Sequence, residues 1–263
     1  MKTIQDFQKA KNANKKISVV TCYDTWSALI IDDTSVDAVM VGDSAAMVMH
    51  GFETTVNADL DMMCGHVAAV RRGLKSKFLI GDMPFLSNRQ SLDTSMLAVD
   101  RLMKAGSQAV KMEGAEGNME LIEHLVKSGV PVMGHLGLTP QSYHQLGGFK
   151  QQGTTEQAAQ KILHDALQLQ KAGCFSIVLE MIPTAVAKRV TDELTIPTIG
   201  IGAGPHTSGQ VLVLQDLLGL NKNFTPTFVK KYLNGCTMIH EALNLFDQEI
   251  KEGSFPEMKE ERR

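Results

Sequence analysis

No stretch of this chain approaches the roughly 20 consecutive apolar residues that a membrane-spanning helix needs. The opening Met1-Lys2-Thr3-Ile4-Gln5-Asp6-Phe7 likewise has no apolar signal core. An excess of one charge is also missing: 26 Lys and Arg stand against 29 Asp and Glu, a formal net charge of −3. That balance leaves no footprint for nucleic acid or for an anionic membrane. The four cysteines, Cys22, Cys64, Cys174 and Cys236, make no CxxC pair and no zinc spacing. They read as buried, reduced thiols of a cytoplasmic protein. No Pro- or Ser-rich linker divides the 263 residues, so a single domain over 1–263 is expected, long enough to bury a sizeable core.

What the chain does have is one pattern used repeatedly. A short apolar run ends on a carboxylate at Val39-Met40-Val41-Gly42-Asp43, Phe78-Leu79-Ile80-Gly81-Asp82, Val110-Lys111-Met112-Glu113 and Phe175-Ser176-Ile177-Val178-Leu179-Glu180. An acid on an apolar strand is costly to bury unless something pairs with it or uses it. Four such strands point to one acidic site at one end of a sheet.

The rest of the chain supplies the remaining elements. Further strands are predicted at 17–22, 130–135, 196–201 and 211–214, the first rich in β-branched residues. Helical spacing recurs between them, as in Met96, Leu97, Val99, Leu102 and Met103, with Gly106 closing that helix. Thr154 and Gln157 suggest a capping box for the helix carrying Ala159, Ile162 and Ala166. Thr225-Pro226 suggests the start of a last helix, with the stripe Val229, Leu233, Cys236, Ile239, Leu243, Phe246 and Ile250, followed by a polar tail. Eight apolar strands alternating with helices predict an α/β protein, a (β/α)8 TIM barrel with a short N-terminal helix and a C-terminal helix. A doubly wound open sheet is the competing architecture.

Barrel enzymes keep their chemistry at the C-terminal ends of the strands. Asp43, Asp82 and Glu113 would end neighbouring strands about 4.8 Å apart, and three acids that close repel unless protonated or neutralised by a cation. With no Cys or His ligand beside them, a hard, oxygen-loving ion such as Mg²⁺ is the natural partner. Lys111 shares a face with Glu113 and offers a positive charge to an anionic substrate or a developing enolate. His135 ends the fifth strand and could donate to the same ligand, and Ser44 either caps the next helix or binds a substrate carboxylate. Glu180, two strands beyond Glu113, stands where a base would take a proton from a 2-oxo acid chelated by the metal. The glycine-rich Gly200-Ile201-Gly202-Ala203-Gly204 reads as a tight loop near substrate, since Pro205 follows and no capped helix opens.

These stretches, in order, resemble the ketopantoate hydroxymethyltransferase family: VGDS at 41–44, GDMPF at 81–85, VKMEG at 110–114, GHLGLTPQS at 134–142, GGFKQQG at 147–153, VLEMIP at 178–183 and IGIGAG at 199–204. The resemblance implies a barrel of the phosphoenolpyruvate/pyruvate superfamily type, assembled as a homodecamer of two pentameric rings. It implies transfer of a hydroxymethyl group from 5,10-methylenetetrahydrofolate to 3-methyl-2-oxobutanoate, giving 2-dehydropantoate on the route to pantothenate, with one Mg²⁺ per subunit. By position it makes Asp43, Asp82 and Glu113 the metal ligands and Glu180 the proton acceptor. Asp43, Ser44, Asp82 and Lys111 become substrate contacts, and His135 the motif histidine. Ala45-Ala46, residues 50–57 and Ala115 depart from the family pattern and bear on loop shape and folate contacts. A Mg²⁺-dependent lyase or mutase of the isocitrate lyase or phosphoenolpyruvate mutase type is the alternative. Cys64-Gly65-His66 resembles that group's cysteine loop but falls in a predicted helix without the preceding lysines. A non-catalytic binding barrel is a third reading, opposed by the full set of charged groups.

Overall fold

A computed structural model describes residues 2–222 and 226–256. The first element is helix α1 (Ile4–Asn12), and the strands follow in parallel with helices between them. In order they are β1 (Ile17–Thr21), α2 (Thr25–Asp32), β2 (Ala38–Val41), α3 (Ala45–Val48), α4 (Leu60–Gly73), β3 (Phe78–Asp82) and α5 (Leu92–Ala105). Then come β4 (Ala109–Glu113), α6 (Met119–Lys127), β5 (Val132–Gly137), α7 (Tyr143–Leu146), α8 (Glu156–Lys171), β6 (Ser176–Glu180), α9 (Thr184–Glu193), β7 (Thr198–Ile201) and β8 (Gly209–Leu212). The strands close into a barrel in the order β1 to β8, with β8 pairing back onto β1. The barrel was the expected fold; the open sheet is excluded by that closing pair.

Two compact units account for the chain, residues 1–213 and 214–263. The first contains the whole barrel. The second contains α10 (Leu214–Leu217) and α11 (Gly235–Glu252). Among the described residues, no helix is long and apolar enough to cross a membrane. Cys22 and Cys174 are buried free thiols as expected, whereas Cys64 and Cys236 are only half-buried.

Strand after strand is buried along its whole length, because the barrel covers one face and the helices the other. The inward set includes Ile17 and Val19, Ala38 and Met40, Phe78 and Ile80, with Ala109, Met133, Val178, Ile199 and Val211 completing one apolar cluster. At the N-terminal end of the barrel, α1 drops Phe7 into that cluster. Its ring lies edge-on to Phe78 at 5.6 Å and to Phe175 at 5.2 Å, and those two meet at 6.0 Å. One end of the barrel is thus plugged with aromatic carbon.

Three sequence expectations need correction. The cap of α8 is Thr155, whose Oγ accepts from Ala158 N–H at 3.2 Å, one residue past the predicted Thr154 and Gln157 box. The last helix begins at Gly235, not at Thr225-Pro226; Thr225 itself lies outside the described residues. Residues before Gly235 spend their backbone elsewhere: Tyr232 N–H donates to Leu217 O and Gly235 N–H to Leu218 O, so Val229 and Leu233 are not on the helix. The eighth strand begins two residues early, at Gly209, because Ile17 and Ser18 of β1 take Gly209 and Gln210 as partners.

The aromatic plug gives a stability prediction. Phe7→Ala should lower the unfolding free energy by about 3–5 kcal/mol, the usual cost of an aromatic-to-alanine cavity. A urea titration followed by circular dichroism measures it; an unchanged midpoint would show that α1 does not seal the barrel.

Candidate active site

Along each strand the side chains alternate, so the inward face reads every second residue. On β3 that face is Phe78, Ile80, Asp82; on β4 it is Ala109, Lys111, Glu113. On β5 it is Met133 then His135, and on β6 Val178 then Glu180. Each inward row starts apolar and ends charged, which puts the charges together at the C-terminal mouth. The register completes the arrangement: Asp82 is paired with Lys111, Glu113 with His135, and Gly137 with Glu180.

Lys111 is the centre of the group. Its Nζ lies 2.8 Å from Asp82 Oδ1 and 3.7 Å from Glu113 Oε1, and all three side chains are nearly inaccessible to water. Asp43, just past the end of β2, is also buried, and its N–H donates to Asp82 Oδ2 at 3.2 Å. Burial and the charges of Asp82 and Glu113 push the Asp43 carboxyl well above the usual carboxylate range. Burial raises Asp82 as well, against the pull of Lys111. Glu113 goes the other way. Burial opposes its charge, but the neighbouring His135 and Lys111 hold it below the ordinary value. Lys111 is disfavoured by burial, yet the three acids raise it and keep it an ammonium.

His135 joins this group to Glu180. Its Nδ1 is 3.3 Å from Glu113 Oε1 and 3.2 Å from Lys111 Nζ, while its Nε2 is 3.2 Å from Glu180 Oε2. Burial and Lys111 push the imidazole down, but Glu113 and Glu180 prevail and raise its pKa to about 9. Each ring nitrogen faces a carboxylate, which favours the charged imidazole. The Glu180 side chain is 18 % exposed, the most accessible of these groups.

The backbone around Glu180 is held by unusual means. Gly137 adopts φ 95°, and a Cβ there would sit 2.2 Å from Glu180 O. The glycine permits that approach, and Leu138 N–H donates to the same oxygen at 2.8 Å. Met181, the next residue, is in the left-handed region at φ 46°. Such a non-glycine residue costs on the order of 1 kcal/mol, and it ends the strand abruptly. Its N–H donates to Ile201 O and its carbonyl accepts from Gln152 N–H.

The structure thus brings Asp43, Asp82, Lys111, Glu113, His135 and Glu180 into one chain of contacts. Ser44 stands beside Asp43 at the start of α3, but its hydroxyl caps nothing; it meets the buried Tyr23 hydroxyl at 2.8 Å. Burial keeps that phenol neutral by pushing it above its ordinary range. Sequence reasoning did not single out Tyr23 or Gln141. Gln141 donates from Nε2 to Asp43 Oδ2 and to Met83 O, each at 2.8 Å, and from its main-chain N–H to Glu113 Oε2 at 3.0 Å. Cys64 and His66 lie on α4 as expected, with His66 Nδ1 2.6 Å from Tyr23 O and Nε2 2.8 Å from His50 Nε2.

Among the described residues, no three His, Cys, Asp or Glu side chains are already drawn together as a ligand set. The acids gather about Lys111 instead. Their donor chemistry nonetheless fits a hard divalent cation. Asp82 Oδ1 and Glu113 Oε1 are buried without a properly directed hydrogen bond, and carboxylate oxygens are what Mg²⁺ binds.

A sequence model of the family described as ketopantoate hydroxymethyltransferase matches residues 1–258. The chain belongs to that family. Family membership makes it a transferase. Among its relatives, the 3-methyl-2-oxobutanoate hydroxymethyltransferase of Coxiella burnetii is 58% identical over 254 residues, covering 96% of each chain. The protein of the same name from Bdellovibrio bacteriovorus is 56% identical over 260 residues, covering 99% of each. In fold the chain is similar to a phosphonopyruvate hydrolase crystallised with oxalate and Mg²⁺, with TM-score 0.65, 11% identity and 98% and 90% coverage. It is also similar to 2,3-dimethylmalate lyase, a member of the PEP mutase/isocitrate lyase superfamily, with TM-score 0.63, 14% identity and 100% and 89% coverage. At those identities the likeness speaks for the barrel alone.

The raised His135 pKa has a definite sign in stability. A histidine raised from 6.5 to about 9 stabilises fully below pH 6.5 and loses that contribution as pH rises through about 9. Thermal melts in chelator should therefore show the midpoint falling across this window. His135→Gln should flatten that part of the slope, worth on the order of 3 kcal/mol for a shift of this size. An identical slope in the variant would mean the imidazole is neutral in the fold.

Proposed function

We propose that this chain transfers a hydroxymethyl group from 5,10-methylenetetrahydrofolate to 3-methyl-2-oxobutanoate, giving 2-dehydropantoate for pantothenate synthesis, with Glu180 as the base. Family membership supports the reaction. The observation that carries the residue roles is the convergence of Asp43, Asp82 and Glu113 around Lys111, with Glu180 one histidine away. Four carboxyl groups face one lysine and one histidine, so acidic oxygens outnumber the basic groups, as a site for a divalent cation requires.

Asp43, Asp82 and Glu113 are the residues that would hold Mg²⁺. When bound, the ion supplies Lewis-acid polarisation of the keto oxygen and acidifies the neighbouring carbon. Lys111 and Ser44 receive the substrate's carboxylate end, Lys111 as a buried cation and Ser44 as a hydroxyl oriented by Tyr23. Glu180 takes the proton from C3, and His135 holds the Glu180 carboxylate toward the centre of the mouth. The C3–H bond breaks and a bond from C3 to the one-carbon unit forms. Water supplies the hydroxyl oxygen, and tetrahydrofolate leaves as its two nitrogen bonds to that carbon are cleaved, the nitrogens gaining the proton lost from C3 and one from the water. Lys111 offsets the negative charge that develops on the oxygen during the transfer. Asp82 and Glu113 keep Lys111 charged, so it cannot serve as the base. The homodecamer and cytoplasmic location implied by the resemblance belong to the same reading.

The test is product formation by the purified chain from both substrates. Activity should require Mg²⁺ and vanish with chelator. Glu180→Gln should lower kcat by about 10²–10⁴, the range for loss of a positioned base, with KM for the oxo acid changing little. A Glu180→Gln enzyme with parental kcat would remove Glu180 from the chemistry.

A further inference from the structure

Gln141 sits in the short 3-10 turn Pro140–Ser142 that follows β5. It is almost fully buried, and burying a primary amide is costly unless its hydrogens are used. Both Nε2 hydrogens have an acceptor at 2.8 Å, Asp43 Oδ2 beyond the end of β2 and Met83 O beyond β3. Its main-chain N–H reaches Glu113 Oε2 at the end of β4 at 3.0 Å. One residue on the fifth strand's loop therefore ties together the ends of three other strands.

The pattern at the acids is specific. Asp82 has Oδ2 fixed by Asp43 N–H, while Oδ1 has the Lys111 ion pair but no directed hydrogen bond. Glu113 has Oε2 fixed by Gln141 N–H, while Oε1 faces Lys111 and His135 without a directed hydrogen bond. Asp43 has Oδ2 fixed by the Gln141 amide. In each acid one oxygen is anchored by a neutral N–H, which sets the orientation of the carboxylate and of its other oxygen. Two of the three anchors come from Gln141. A neutral amide suits such an anchor, because a Lys or Arg here would add positive charge and compete with a cation, and a Glu would supply no donor.

We propose that Gln141 is a positioning residue that orients Asp43 and Glu113 as ligands for a divalent cation. This rests on the metal reading given above. Partners that hydrogen-bond a ligating carboxylate fix its direction, and their loss costs metal affinity about 10–100-fold. Because the Glu113 anchor is main chain, a side-chain substitution at 141 isolates the Asp43 half of the device.

The experiment is a Mn²⁺ titration of the full chain followed by electron paramagnetic resonance, with Mn²⁺ as the spectroscopic stand-in for Mg²⁺. Gln141→Met keeps the length of the side chain and removes both donors. Gln141→Asn keeps the amide but shortens its reach, and serves if the first variant misfolds. Either should weaken Mn²⁺ binding about 10–100-fold, with circular dichroism and melts in chelator showing a folded barrel. A purely structural glutamine would instead lower the melting temperature and leave the Mn²⁺ affinity of the folded protein unchanged, which would overturn the proposal. A parent chain that binds no Mn²⁺ would bring down the metal reading and this role together. A parent that binds beside variants that bind equally well would bring down this role alone.

Discussion

Lys111 holds a full positive charge inside the barrel, 2.8 Å from Asp82 and 3.7 Å from Glu113. Desolvating such charges costs several kcal/mol each, and removing one partner of a buried pair leaves the other uncompensated. This constraint organises the mouth. The ammonium makes it possible to bury acids on adjacent strands. Those acids raise the lysine's pKa and fix it as a cation rather than a base. What remains after this pairing is an excess of carboxyl groups, and burial first, then the neighbouring acids, pushes Asp43 and Asp82 upward. An excess of that kind is what a divalent cation relieves.

The scaffold supports that charge cluster by keeping everything beneath it apolar. Phe7, Phe78 and Phe175 close the far end of the barrel, and Ile80, Met133 and Val178 fill the middle. At the mouth the local backbone departs from regular geometry, at Gly137 and Met181, and both departures bracket Glu180. The strain is small against the stability of a barrel this size, and it fixes where one carboxylate points.

Much of this was legible in the sequence, and the reason is periodicity. An apolar run that ends on an acid announces both the strand and the end at which its charge lies, which is why Asp43, Asp82, Glu113 and Glu180 could be placed together. The same alternation put Lys111 on the face of Glu113. Gln141 was not legible, because it lies on a turn with no repeat to mark its direction, and its partners are up to 98 residues away in sequence. Tyr23 was missed for a similar reason: its hydroxyl meets Ser44 across two strand ends. Helix starts proved harder than strands. Thr154 and Thr155 are chemically equivalent caps, and only the backbone path to Ala158 chooses between them. Likewise, a Thr-Pro pair cannot open a helix at 226 when residues 232 and 235 bond back to 217 and 218.

The central claim is that Glu180 removes the C3 proton of a 2-oxo acid in a site whose acids and Lys111 prepare it for that loss. The direct measurement is exchange of the C3 proton of 3-methyl-2-oxobutanoate in D₂O, followed by proton NMR, with Mg²⁺ and without folate. The parent chain should exchange that proton, and Glu180→Gln or added chelator should abolish the exchange. Exchange that persists in Glu180→Gln, or none in a parent chain that forms product, would contradict the account.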